Sequence, residues 1–232
     1  MTTNRSSEEL AMRDAIDAWG RTRWPDARVV HELVTGACRI DMAFVSPDHL
    51  VGVEIKSSRD TLDRLKAQEE AFTACIPELW IALAPKWQGE SNEAGHHTGV
   101  VIVADGRVDH TIRFRAGSGH DYAFERKPDL NRALTVPMLD LLWRNELHAI
   151  AARAGAWKPK GTPARPVLIG AIARALTGDQ IVAEVCRELR ARDAFWRSDP
   201  PIVLPGYTAA DMPGRLDLYQ KPTQRAAGAL LL

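Results

Sequence analysis

Apolar and polar residues follow two different periods along this chain, and the changes of period divide it into elements. Ser6 or Ser7 can cap a first helix running to about Trp19, with Leu10, Ile16 and Trp19 as its apolar marks. Gly20 and Trp24-Pro25-Asp26 end it. Val29 to Val34 reads as a short strand, and Thr35-Gly36-Ala37 as a tight turn. Cys38 to Val45 alternates with period two, which predicts a strand with Cys38, Ile40, Met42 and Phe44 on one face. Ser46-Pro47-Asp48-His49 turns the chain into a third strand, Leu50 to Lys56. From Arg59 to Ile76 the period is helical, with Leu62, Leu65, Phe72 and Ile76 on one stripe, and Pro77 stops it. Leu79 to Ala84 and Val100 to Ala104 read as buried strands separated by a polar loop, Pro85 to Thr98. Asp105-Gly106 turns into a further strand, Val108 to Phe114.

This order of helix, strands, helix and strands through about Ala116 predicts an α/β domain with a mixed central sheet flanked by helices. Gly117 to Asp129 reads as a connector. A helical C-terminal region follows to residue 197, with helices at Pro137 to Ala154, Pro166 to Leu176 and Asp179 to Phe195. Thr177-Gly178-Asp179-Gln180 has capping-box spacing, which places the start of the last helix. Lys158 to Pro166 reads as a linker, and the proline-rich stretch from Ser198 to Leu232 as an extended or partly disordered tail.

Composition narrows the class. Of 232 residues, 45% are apolar and 26% charged, the balance of an ordinary globular protein. The chain lacks the run of roughly 18 to 20 apolar residues that a membrane span needs. The stretch from Met1 to Glu9 has no apolar segment of a secretory signal. A cytoplasmic protein without a membrane partner is the expectation. Cys38, Cys75 and Cys186 lie far apart without zinc-site spacing, so free thiols are expected. Net charge is zero, but residues 1–76 carry ten basic and thirteen acidic side chains, and residues 151–197 nine and four. That asymmetry suits a cation site combined with a phosphate-contacting surface, although solvated helix faces account for it as well.

The chemistry concentrates in Arg39-Ile40-Asp41 and Gly52-Val53-Glu54-Ile55-Lys56. On the third strand Glu54 and Lys56 project together while Val53 and Ile55 face the other way. If the Ser46 to His49 turn makes these strands an antiparallel pair, Asp41, Glu54 and Lys56 meet on one face. Two carboxylates and an ammonium on apolar strands are costly to bury unless they pair or bind a metal. Phosphodiester hydrolysis uses this set: Asp41, Glu54 and the Ile55 carbonyl as hard oxygen ligands for Mg2+ or Mn2+, and Lys56 to orient the attacking water and counter developing charge. Cross-strand ion pairs on a sheet offer a blander account of the same residues. Gln68, on the inward stripe of the following helix, needs buried partners that this centre would supply, and Glu32 on the preceding strand could reach the same metal.

The chain also resembles the PD-(D/E)XK nuclease superfamily. Asp41 matches its first acid, with Ile40 in place of the eponymous proline, and Glu54-Ile55-Lys56 matches E-x-K. Gln68-Glu69-Glu70-Ala71-Phe72 is similar to the QxxxY motif of the RecB-like branch, with Phe for Tyr. Asp60-Thr61-Leu62-Asp63-Arg64-Leu65 and Leu141-Leu142-Trp143-Arg144-Asn145-Glu146-Leu147 resemble small bacterial and phage proteins assigned to that superfamily. The resemblance implies a restriction-endonuclease-like fold, metal-dependent cleavage of DNA, and catalytic roles for Asp41, Glu54 and Lys56 supported by Gln68 and Glu32.

Arg59, Arg64 and Lys66 could contact phosphates beside the cut, or simply solvate a helix face. His96-His97 reads as surface, and Trp19, Trp80 and Trp143 as core. The last two helices have helix-turn-helix proportions, leaving Arg187, Arg190 and Arg192 for a duplex in a non-catalytic DNA-binding alternative. Packing against the nuclease domain, or the seam of a homodimer, is the other account of that pair.

Overall fold

A computed structural model describes residues 5–202 apart from 37, 116–120, 132–134, 158–160, 162 and 194–195. Its centre is a six-stranded mixed sheet of β1 (Arg28–Thr35), β2 (Cys38–Val45), β3 (Leu50–Lys56), β4 (Glu78–Leu83), β5 (Gly99–Ala104) and β6 (Arg107–Asp109), in that spatial order. β1, β2 and β3 pair antiparallel, β3, β4 and β5 parallel, and β5 and β6 antiparallel. The expected mixed α/β class is what the chain adopts.

Helix α1 (Ser7–Arg23), capped by the Ser6 hydroxyl accepting the Glu9 N–H, covers one face. Its Met12, Ala15 and Ile16 meet Phe44, Val53 and Trp80 there. The other face carries α2 (Leu65–Thr73), α3 (Arg144–Arg153), α4 (Arg165–Ala175) and α5 (Gly178–Ala191), whose Phe72, Leu147, Ile172 and Val185 share one core with Val30, Ala43 and Leu50. The C-terminal helices therefore complete the core of the sheet. Thr177 caps α5 as expected, accepting the Gln180 N–H while the Gln180 side chain accepts the Thr177 N–H.

Four sequence expectations change, each for a local reason. The second helix starts at Leu65, not Arg59, because side chains capture the intervening backbone. Asp60 accepts the Ser57 N–H and hydroxyl, Glu8 accepts those of Ser58, and Trp87 and Lys86 donate to the Ser57 and Ser58 carbonyls. The strand expected from Val108 to Phe114 breaks at His110, where Asp109 accepts the Thr111 N–H. Beyond the break, β7 (Thr111–Arg115) pairs in a separate small sheet with β8 (Asp121–Glu125), which lies inside what reads as a connector. The long helix from Pro137 is a 3-10 turn, Pro137–Leu141, then extended residues, then α3 starting afresh where Glu146 accepts the Trp143 N–H. Trp143 itself is exposed, under the Arg192 guanidinium, whereas Trp80 is buried.

The fourth change bears on the site. Cys38 and Ile40 lie on the α2 side of the sheet, but Met42 and Phe44 lie on the α1 side. Alternation slips by one at Asp41, and it slips in β1 at the facing residue, Glu32, whose φ of 59° is left-handed. Pairing keeps the same register on both sides of this level, from His31↔Met42 to Leu33↔Ile40.

The chain continues past α5 as a strap, Trp196 to Ile202, along the open edge of β1. Asp199 accepts the Val29 N–H and Ser198 the His31 N–H, and the Val29 carbonyl accepts the Asp199 N–H. The expected tail is thus docked through 202; the rest of it, and part of the expected 158–166 linker, lie outside the described residues.

α1 crosses β2 at Gly20, where an added Cβ would lie 2.1 Å from the Phe44 ring. Gly→Ala inside an open helix normally stabilises by about 1 kcal/mol. Here Gly20→Ala is expected to cost about 1–3 kcal/mol through overpacking, read as a lower urea midpoint. A variant as stable as its parent would mean that α1 does not press on Phe44.

Candidate functional site

The site forms where β2 and β3 part. Their pairing runs from Val45↔Leu50 to Met42↔Val53, which makes Asp41 and Glu54 the next residues in register. At that level the Asp41 carboxylate takes over the ladder's role, its Oδ2 accepting the Ile55 N–H at 2.9 Å. Val51, Val53 and Ile55 face α1, so Glu54 and Lys56 point toward α2, as alternation predicts. There they meet Gln68. Lys56 Nζ donates to Glu54 Oε1 at 2.9 Å and to Gln68 Oε1 at 2.6 Å, while Gln68 Nε2 donates to Glu54 Oε1 at 2.6 Å.

Both ends of the Glu-x-Lys pair are buried, Glu54 at 3% exposure and Lys56 at 4%, because β3 is central with both faces covered. Glu54 Oε2 is buried without a partner. Burial, then the Asp41 charge, push the Glu54 carboxyl up to about 8 against the opposing pull of Lys56. Burial raises Asp41 as well, opposed by the Arg13 guanidinium and the Ile55 N–H. Arg13 and Lys56 each pair with one of these two carboxylates, yet Glu54 Oε2 is left without a partner beside Asp41. A hard divalent cation would satisfy that oxygen, with Asp41, Glu54 and the Ile55 carbonyl as oxygen donors. Among the described residues, no group of three or more His, Cys, Asp and Glu is gathered for a metal.

Glu32 lies in register with Asp41, yet arginines hold both of its oxygens: Arg5 and Arg13 on Oε1 at 2.6 and 2.9 Å, Arg39 on Oε2 at 2.7 Å. Arg13 was not marked by the sequence reading. It sits on the inward face of α1 at 1% exposure and reaches Asp41, Glu32, Glu9 and His31. Its signal was a charged residue on the apolar stripe between Met12 and Ile16. His31 is held down to about 4 by burial and the neighbouring Arg13, so its ring is neutral.

Arg59, Arg64 and Lys66 are exposed on and beside the loop that follows Lys56. His97 pairs with Asp129 at 2.6 Å on the surface. The helix-turn-helix proportions of α4 and α5 are kept, but Arg190 and Arg192 turn inward. Arg192 grips Glu146 at 2.8 and 2.5 Å, so these two arginines do not form a duplex-facing edge. Cys75 and Cys186 are buried free thiols, and Cys38 is half-buried and free.

The pH dependence of stability follows from Glu54. Its folded pKa stands above the ordinary 4.5, so its contribution is full below 4.5 and is lost as pH rises toward about 8. In metal-free buffer, wild type should therefore lose on the order of 3 kcal/mol relative to Glu54→Gln between pH 5 and 8. Chemical denaturation at several pH values reads this directly; parallel curves would place Glu54 in water.

Fold and site together define a mixed α/β protein with a buried acid–lysine centre at a strand junction. A sequence model of the family described as bacteriophage P4 protein cII matches residues 4–198, and the chain belongs to that family. Among solved structures, the SPO1766 protein of unknown function from Silicibacter pomeroyi is similar at 14% identity, over 68% of this chain and 99% of that one, with a TM-score of 0.39. No curated protein matches. Among the described residues, no helix is long and apolar enough to cross a membrane.

Proposed function

We propose that this protein is a metal-dependent nuclease of the PD-(D/E)XK kind, hydrolysing phosphodiester bonds of DNA. The observation that carries the reading is Glu54: buried, carrying an unpartnered oxygen, in register with Asp41 and clasped by Lys56 and Gln68. A structural Glu–Lys pair has no use for a carboxylate oxygen left buried without a partner. A cation site gains a ligand.

Asp41 and Glu54 hold the metal, Mg2+ or Mn2+, together with the Ile55 carbonyl. When bound, the ion supplies Lewis acidity, polarising the phosphate and lowering the pKa of a water. Gln68 fixes the Lys56 ammonium through its carbonyl oxygen, and Lys56 presents its remaining hydrogen to the water or to a phosphate oxygen as charge develops. Glu32 supports the site through arginines, which keeps its carboxylate off the metal. Arg59, Arg64 and Lys66 meet the DNA backbone on the rim.

The test is cleavage of plasmid and single-stranded DNA with Mg2+ or Mn2+, by wild type and Asp41→Ala. Metal-dependent cutting lost in the variant is the expected result. A wild type that cuts neither substrate ends the nuclease reading.

A further inference from the structure

We propose that Arg13 is a positioning residue that locks Asp41 in the orientation a metal ligand requires, an inference that rests on the nuclease reading. Its guanidinium grips one residue at two points: Nη1 donates to the Asp41 main-chain carbonyl at 2.7 Å and Nη2 to Asp41 Oδ1 at 2.5 Å. The Ile55 N–H holds the other carboxylate oxygen. Three donors on three atoms leave the Asp41 side chain no freedom to rotate, while each carboxylate oxygen keeps a lone pair for a cation.

Arg13 has nothing left to offer a substrate. Its other three N–H groups are spent on Glu9 Oε1 at 3.0 Å, His31 Nδ1 at 3.2 Å and Glu32 Oε1 at 2.9 Å. At 1% exposure it cannot follow a phosphate. A neutral His31 is the form that can accept from Nη1, and the left-handed backbone of Glu32 coincides with the carboxylate that accepts from Nη2. The slip of alternation at Glu32 and Asp41 thus brings a strand carboxylate, a strand aspartate and a helix arginine to one point. A lysine would keep the charge but not the fork.

The experiment compares wild type, Arg13→Lys and Arg13→Gln by Mn2+ titration, read as calorimetric heat and as the rise in melting temperature, and by cleavage kinetics. Both variants are expected to need at least about tenfold more Mn2+ for half-saturation. Their kcat should fall about 100-fold, with KM for DNA within about threefold of wild type. Wild-type Mn2+ binding by Arg13→Lys would overturn the assignment, because charge alone would then suffice. If neither variant folds, Glu32→Gln, which weakens one Nη2 contact, should still raise the Mn2+ requirement, and an unchanged requirement would overturn the proposal. A wild type that binds Mn2+ yet cuts nothing defeats the nuclease reading and leaves the Arg13 comparison readable. Failure to bind Mn2+ at all defeats both.

Discussion

Lys56→Met should slow metal-dependent cleavage by about 100- to 1,000-fold while the protein stays folded. Lys56 is 4% exposed, and two of its three hydrogens are committed to Glu54 and Gln68. The third is what a water or phosphate oxygen would use. Methionine keeps the length of the side chain and suits the buried stem. The charge left behind on Glu54 is not stranded, because a carboxyl already pushed to about 8 takes up a proton at neutral pH. Single-turnover cleavage at saturating metal, paired with a melting curve, separates the two effects. Wild-type cleavage by a folded Lys56→Met would reduce the Asp41–Lys56 cluster to an internal ion-pair network.

A second large effect lies far from that chemistry. Arg28→Ala should cost about 3–5 kcal/mol, since several buried carbonyls lose a charged donor and each group left unsatisfied costs about 1–3 kcal/mol. Arg28, at 1% exposure, donates from Nη1 to the carbonyls of Leu189, Arg190 and Arg192 at 2.9, 2.8 and 2.5 Å. Those carbonyls close the C-terminal end of α5, where backbone acceptors have no helical partner and the dipole favours a cation. From Nε and Nη2 the same guanidinium reaches the Asp199 carbonyl at 3.1 and 2.9 Å. Alanine would take this donor from the Leu189, Arg192 and Asp199 carbonyls at the junction of β1, α5 and the strap, while the Arg190 carbonyl keeps the Ile202 N–H. At 2–4 °C per kcal/mol for a chain of this size, the melting temperature should fall by about 10 °C. Arg28→Lys should recover part of it, since an ammonium can serve the helix end but not both sites at once. An alanine variant within about 1 kcal/mol of wild type would show the junction to be held by apolar contacts instead.

Strands were the most legible part of the sequence. Cys38–Val45 and Leu50–Lys56 lie where period two and the Ser46 to His49 turn put them, and Glu54, Lys56 and Gln68 converge as their spacing implied. What misled were side chains bonding to backbone. Arg59 to Arg64 look like the start of a helix in an apolar count, yet hydroxyl and carboxylate groups at Ser57, Ser58, Asp60 and Glu8 bind the backbone in another path. Glu32 illegibly broke the period, because no propensity places a non-glycine residue in the left-handed region inside a strand. Arg190 and Arg192 read as available to a duplex and Arg13 carried no mark at all; Asp41 holds Arg13 inside and Glu146 holds Arg192.

The strap along β1 also decides how this molecule meets its own copies. With Asp199 and Ser198 occupying the amides of Val29 and His31, that half of the sheet's border cannot offer those donors to another strand. A chain cut short before Trp196 would keep most of its core yet bare the Val29 and His31 amides, an edge to which another strand could add.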